Sequence, residues 1–283
     1  GMVVTSPQPA STAALKVLQK GHNAIDSAVT AAFVLAVTQP RSGNIGGGGF
    51  MLISSEKTGK VTAIDYREKA PALATKDMYL NTDGSINKRK SRFSHQAVGV
   101  PGTVAGLALA LKEYGTITLA ESLAPAIKLA EEGFVVTPRF VKGIKARHKE
   151  LKKWPSSRKI FFKKDGSFYE LGDRFVQKDL AKTLRRIARL GVKGFYEGET
   201  AKLMTQQMQQ NGGLISASDL KAYRAKIRQP IHGTYRGYDV YSMSPPSSGG
   251  VHIVQMLNVL ELYPLREYGH NSAQTIHLMA EAM

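Results

Sequence analysis

Four consecutive glycines, residues 46–49, open directly onto the apolar run Phe50-Met-Leu-Ile53. Glycine loses more backbone freedom on folding than any other residue and brings no side chain to pack. Four in a row at the mouth of a strand imply that something approaches this backbone closely. A helical pattern precedes them and a strand pattern follows. Phosphate-binding loops run the other way, from strand through glycines into helix, and the Walker pattern also needs a Lys-Ser/Thr pair that Gly49 lacks. A nucleotide cradle is therefore not expected here.

The flanking segments fix the context. Asn23 reads as a helix cap, and Ile25, Ala28, Val29, Ala32, Phe33, Ala36 and Val37 repeat at helical spacing until Pro40 ends the pattern. Residues 50–54 and 61–66 read as strands around a turn at 56–60 that contains Gly59. The second strand runs into Asp65-Tyr-Arg-Glu-Lys-Ala-Pro71. Neighbouring side chains on a strand point to opposite faces, so Glu68 is a poor partner for Arg67. Arg67 is then a surface charge, half of a more distant ion pair, or a clamp whose planar fork takes a carboxylate.

The remaining chain mixes helices and hairpins. A short strand is expected at 2–5, and helices at 10–20, 103–114, 119–132, 176–190 and 199–210. Ser218-Asp219 reads as the cap of a short helical turn. A hairpin is expected at 230–243 with Arg236-Gly237 at its turn, then an apolar helix at 251–262. The final segment, 272–283, has a capped start and no stop signal, which reads as a partial polypeptide ending inside a helix. No internal repeat is visible, and the pattern predicts one α+β domain over 1–283.

Composition bounds the chemistry. The 283 residues are 42% apolar and 22% charged, enough for a sizeable core. The absence of cysteine excludes disulfides, thiolate metal sites and a cysteine nucleophile. The seven histidines show no ligand spacing, so no metal is expected, and the Gly-x-Ser-x-Gly elbow is absent. Ser247-Ser248-Gly-Gly250 suits either an anion nest or a plain helix cap. The net charge of +17 concentrates at 139–164, where eleven Lys and Arg stand against Glu150. This segment reads as a solvated helix and loop or as a polyanion patch, and Phe161-Phe162 fits a short buried strand. No run of 18 apolar residues exists, so no transmembrane segment is expected, and the chain carries no signal-peptide pattern.

Several motifs together resemble the γ-glutamyltranspeptidase (glutathione hydrolase) family. They are Gly21-His-Asn-Ala-Ile-Asp26, Asn44-Ile-Gly-Gly-Gly-Gly-Phe50, Asp65-Tyr-Arg-Glu-Lys-Ala-Pro71, Val98-Gly-Val-Pro-Gly-Thr103, Gln177-Lys-Asp-Leu-Ala181 and Pro245-Pro-Ser-Ser-Gly-Gly250, in family order along the whole chain. The sequence departs from the family at Ser244, where a third proline is usual, and at His22 and Asn44. The resemblance implies an N-terminal nucleophile hydrolase, an αββα sandwich made as one precursor that cuts itself into a large and a small subunit. This chain resembles most of the large subunit. The nucleophile in that family is the threonine opening the small subunit, so no catalytic residue is expected in this chain and the chain alone is expected to be inactive. Arg67 matches the family arginine that grips the substrate α-carboxylate. The implied partners are the small subunit and a γ-glutamyl substrate such as glutathione, with no cofactor, no metal and a periplasmic or secreted location. Other activities of the same fold are a poly-γ-glutamate depolymerase and a cephalosporin-type acylase. From a different class, the charge alone would allow a basic nucleic-acid-binding module, although nucleic acid is not the expected partner.

Overall fold

The computed structural model describes residues 1–283. The chain forms two units, Gly1–Gly49 with Tyr66–Arg224 and Phe50–Asp65 with Ala225–Met283.

The first unit is built on α2 (Ala24–Thr38). Asn23 caps it, accepting from the N–H groups of Ile25 (2.9 Å) and Asp26 (3.0 Å), while Asp26 accepts the Asn23 N–H in return (3.1 Å). This reciprocal box satisfies donors that every helix start leaves open. Asp26 is fully buried and also accepts from Thr116 N–H (2.7 Å), Thr116 Oγ1 (2.6 Å) and Ile117 N–H (3.2 Å). Burial alone would raise its pKa. The hydrogen bonds outweigh that effect and hold the carboxyl below its ordinary value. Val29, Phe33, Val34 and Val37 are fully buried and centre the core. Around α2 pack α1 (Gln8–Gln19), α4 (Thr103–Tyr114) and α5 (Leu119–Glu132). The short α3 (Lys90–Phe93) lies in the loop before α4. Next, α8 (Lys178–Leu190) packs on α5 through its apolar stripe of Ala181, Leu184 and Ile187. Just before α8, the Gln177 side-chain amide donates to Val37 O at the end of α2 (2.8 Å). The unit continues through α9 (Lys193–Tyr196), α10 (Gly198–Gln210) and α11 (Ala217–Ala222).

The basic segment is helical. It forms α6 (Pro138–Lys153) and α7 (Pro155–Phe161), each opened by a proline where the missing N–H costs nothing. Phe161 therefore ends a helix, and the strand expected at Phe161-Phe162 does not form. Phe162 is buried all the same, with Lys152 Nζ 5.0 Å from its ring centre. A two-residue ribbon, β3 (Phe134–Val135) with β4 (Arg174–Phe175), adjoins this segment, and Phe134, Phe140, Phe161 and Tyr169 cluster around Phe175.

Two local expectations change. Residues 2–5 pair with no strand. Thr5 instead bonds Ser11, its N–H and hydroxyl both meeting Oγ (3.1 and 2.6 Å). The cap of α11 is Ser216, two residues earlier than read. Asp219 completes its capping box, accepting the Ser216 N–H at 2.9 Å. Ser218 sits inside the helix because the box requires cap and carboxylate three residues apart.

In the second unit, β1 (Phe50–Ser55) pairs antiparallel with β2 (Lys60–Asp65), from Phe50↔Asp65 to Ser55↔Lys60, and β5 (Lys226–Arg228) lies on the other edge of β2. Arg228 Nε donates to Asp65 Oδ2 across that edge (2.8 Å). The hairpin β6 (Ile231–Tyr235) and β7 (Tyr238–Ser242) turns at Arg236 (φ 51°) and Gly237 (φ 82°), two left-handed residues that match the twist of the strands. Against the hairpin packs α12 (Gly249–Leu260), followed by α13 (Leu265–Tyr268) and α14 (Ala273–Ala282). The mixture of helices with small antiparallel sheets is the expected α+β class.

Candidate substrate-binding site

The strap that carries Arg67 runs from Tyr66 to Ala72 in the first unit, and its backbone is tied down at nearly every step. Tyr66 exchanges two backbone hydrogen bonds with Gly49, donating at 3.0 Å and accepting at 3.3 Å. The Arg67 carbonyl accepts from the Tyr223 hydroxyl at 2.8 Å. Lys69 and Val100 exchange bonds of 3.3 and 2.7 Å, and Ala72 N–H donates to Asp219 Oδ1 at 2.9 Å. Burial pushes the Asp219 pKa up, but the bonds from Ser216 and Ala72 outweigh it and keep the carboxyl below its ordinary value.

The glycine run explains how this strap can lie so low. A Cβ on Gly48 would sit 2.5 Å from Tyr66 O and 2.8 Å from both Glu68 N and Glu68 Oε2. Gly47 O accepts from the N–H groups of Gly102 (2.8 Å) and Thr103 (3.0 Å), drawing the start of α4 onto the same run. At Gly102 a Cβ would stand 1.9 Å from Tyr66 O and 2.1 Å from the Tyr223 hydroxyl oxygen. The close approach anticipated for the glycines is thus made by the chain's own backbone.

Behind the strap two phenols stack. The rings of Tyr196 and Tyr223 lie 5.7 Å apart and within 4° of parallel. Tyr196 Oη donates to Pro101 O (2.9 Å) and accepts from Ala105 N–H (3.2 Å). Burial raises the pKa of Tyr196 and of Tyr66, so both phenols remain neutral at physiological pH. Lys69 Nζ lies 5.3 Å above the Tyr223 ring.

The result is an exposed arginine whose backbone carbonyl is held by the buried Tyr223. A fork displayed on a rigid backbone can receive a planar anion through two parallel hydrogen bonds with little ordering cost. Glu68 turns over the glycines, although it lies beyond the end of β2, so strand alternation does not account for its direction.

Other sequence candidates fall outside this cluster. Ser248 occupies the N-cap of α12 but makes no side-chain cap bond. Ser247 Oγ accepts the Gly249 N–H instead (3.2 Å). No group of three or more His, Asp or Glu is arranged to hold a metal, and no helix is long and apolar enough to cross a membrane. Sequence reading missed Tyr223 and Tyr196, and did not connect Asp219 or Gly102 with the strap. Tyr223 and Asp219 meet the strap across 156 and 147 residues of chain; Tyr223 carries no local pattern, and the cap pattern at Asp219 says nothing of its bond to Ala72. The one legible signal is Gly102, which stands in the motif Val98-Gly-Val-Pro-Gly-Thr103.

Comparison with known proteins bears on this arrangement. The sequence model described as gamma-glutamyltranspeptidase matches residues 10–283. The glutathione hydrolase proenzyme of Escherichia coli (strain K12) is 49% identical over 282 residues, covering 100% of this chain and 48% of that protein. The acylase ACY 1 proenzyme of Pseudomonas sp. (strain V22) is 42% identical over 289 residues, covering 100% of this chain and 51% of that protein. Among solved structures, Helicobacter pylori gamma-glutamyltranspeptidase superposes with a TM-score of 0.98 at 48% identity, covering 100% of this chain and 80% of that one. The chain spans about half the length of the curated relatives it matches.

Proposed function

The chain belongs to the gamma-glutamyltranspeptidase family, and from that premise we propose that it is a large-subunit portion of a glutathione hydrolase. The whole enzyme cleaves γ-glutamyl amides such as glutathione and passes the γ-glutamyl group to water or to an amino acid or peptide acceptor. It works as a periplasmic or secreted heterodimer with a small subunit cut from the same precursor, and this chain contributes a single domain to it.

The observation that carries this reading is the presentation of Arg67. Its backbone carbonyl is anchored by Tyr223, its strap is laid on the glycine run, and its side chain is exposed. In the reaction the guanidinium takes the α-carboxylate of the glutamyl unit and so places the γ-carbonyl before the threonine that opens the small subunit. The threonine hydroxyl attacks that carbonyl and gives up its proton to the threonine's own α-amine or to a water. The amine leaves with a proton, and a γ-glutamyl ester remains on the threonine. Water then gives glutamate, or an acceptor amine gives a new γ-glutamyl amide. Arg67 contributes positioning, for which a small displacement is expensive in rate.

The test is p-nitroaniline release from γ-glutamyl-p-nitroanilide by the full-length, processed protein, with glutathione as competitor. Saturable turnover inhibited by glutathione is expected, whereas a processed protein inert to both refutes the reading. The likeness to an acylase proenzyme supports a second reading, a cephalosporin-type acylase that hydrolyses the side-chain amide of a cephalosporin. Faster turnover of that amide than of γ-glutamyl-p-nitroanilide would favour it.

A further inference from the structure

An apolar cavity of the first unit lies away from the Arg67 strap. It is a cavity of about 620 Å³ between the entry to α1, the end of α2, the β3 strand and α6. That volume falls within the range of pockets that hold small organic ligands, about 300–1,000 Å³. One wall is the apolar stripe of α6. Phe140, Ile144 and Leu151 share a helix face with Arg147 and are only half-buried, and Phe161 joins them from α7. A helix that covers its apolar stripe on the core leaves few such side chains half open. Here not one residue of α6 is fully buried, although the helix is strongly amphipathic.

Charge sets the second requirement. Three arginines line the cavity, Arg41, Arg139 and Arg147, and no aspartate or glutamate does. All three are exposed at its edge. Arg139 donates to the Ser6 hydroxyl (2.5 Å), and the Arg147 guanidinium lies 6.0 Å from the Phe93 ring centre. None of the three forms a salt bridge. The site thus combines an apolar interior with a cationic rim that no carboxylate lines, Glu150 lying near Arg147 but outside the cavity. Its complement is an apolar chain ending in a planar anion, because the guanidinium fork matches a carboxylate in two parallel bonds.

We propose that this cavity binds a free medium-chain fatty acid, with the acyl chain among Phe140, Ile144, Leu151 and Phe161 and the carboxylate at Arg139 and Arg147. The inference is independent of the activity proposed for the Arg67 strap, since the two share no residue.

Isothermal titration of laurate into the full-length processed protein tests it. Saturable one-to-one binding is expected, tightening about three- to fourfold for each methylene from octanoate to laurate. Dodecanol, which keeps the chain and loses the charge, should bind at least tenfold more weakly. Ile144→Trp, which fills the interior, and the pair Arg139→Gln with Arg147→Gln, which leaves the interior open, should each weaken laurate at least tenfold. Turnover of γ-glutamyl-p-nitroanilide should stay unchanged in both and serves as the check that they fold. Absence of saturable laurate binding would overturn the proposal. So would equal affinity for laurate and dodecanol, unaltered binding in the folded variants, or association with phosphatidylglycerol vesicles alone.

Discussion

Replacing Gly48 with alanine tests whether the glycine run exists to let the chain lie on itself. A Cβ there would come within 2.5 Å of Tyr66 O and 2.8 Å of Glu68 N. Both are backbone atoms of the strap, and the strap is fixed by Gly49, Tyr223, Val100 and Asp219, so neither can retreat cheaply. Gly46 offers a matched control in the same run. Its Cβ would meet only Asn44 Oδ1 at 3.4 Å, an ordinary contact. Neither glycine has a positive φ, so backbone strain does not separate them. In both variants alanine narrows the unfolded ensemble, which stabilises by about 0.4–1 kcal/mol. At Gly46 this gain stands nearly alone, and a change between zero and +1 kcal/mol follows. At Gly48 overpacking costs about 1–3 kcal/mol or more, and the net expectation is a loss of about 1–3 kcal/mol. For domains of about 150–250 residues each kcal/mol moves Tm by about 2–4 °C, and in the longer full-length protein by less. Differential scanning calorimetry of the full-length protein reads the contrast, and kcat/KM for γ-glutamyl-p-nitroanilide reads the displacement of Arg67. Gly48→Ala should lower both, and Gly46→Ala neither. Equal effects at the two positions, or a Gly48→Ala protein as stable and active as the parent, would refute the reasoning.

Three further outcomes follow from the same contacts. Tyr223→Phe removes the donor to Arg67 O and should cost about 1–2 kcal/mol of stability, with KM for the γ-glutamyl substrate rising more than kcat falls; an unchanged KM would show that the strap holds its place without the phenol. Gln177→Ala leaves the Val37 carbonyl at the end of α2 without its side-chain donor and should cost about 1–3 kcal/mol in urea unfolding, against no change if water replaces the amide. Asp26→Asn should cost about 2–3 kcal/mol at pH 7, because hydrogen bonds to a charged carboxylate are lost. The Asp26 pKa is depressed by folding, so its contribution is present above the unfolded value near 4 and disappears as pH falls through the lower folded value. The gap between parent and variant should therefore close in acid, and a gap constant from pH 7 to pH 3 would contradict the assignment.

Local order was legible and long-range order was not. The cap at Asn23, the limits of α5 and the Arg236-Gly237 turn are written in short patterns, and the structure repeats them almost residue for residue. The strand expected at 2–5 shows the limit, because a strand needs a partner that its own residues do not name. Phe161-Phe162 shows another: two aromatic residues suit a strand or a helix end, and Pro155 decided for the helix. Within the site, Arg67 and the glycines could be picked out from sequence, while the direction of their dependence could not. The glycines read as a place where something approaches the backbone closely, and what approaches is the strap that presents Arg67. Tyr223 and Asp219, which anchor that strap from across the chain, are visible only once the chain is folded.

The most direct test of the account is kcat/KM of the full-length processed protein for γ-glutamyl-p-nitroanilide with Arg67 replaced by alanine and by lysine. Loss of hydrogen bonds to a charged carboxylate, worth about 1.5–3 kcal/mol each, predicts a fall of about 30- to 1,000-fold for Arg67→Ala. Arg67→Lys should recover only part of it, because an ammonium supplies charge without the fork. An Arg67→Ala protein with kcat/KM within threefold of the parent would contradict the claim that Arg67 holds the substrate.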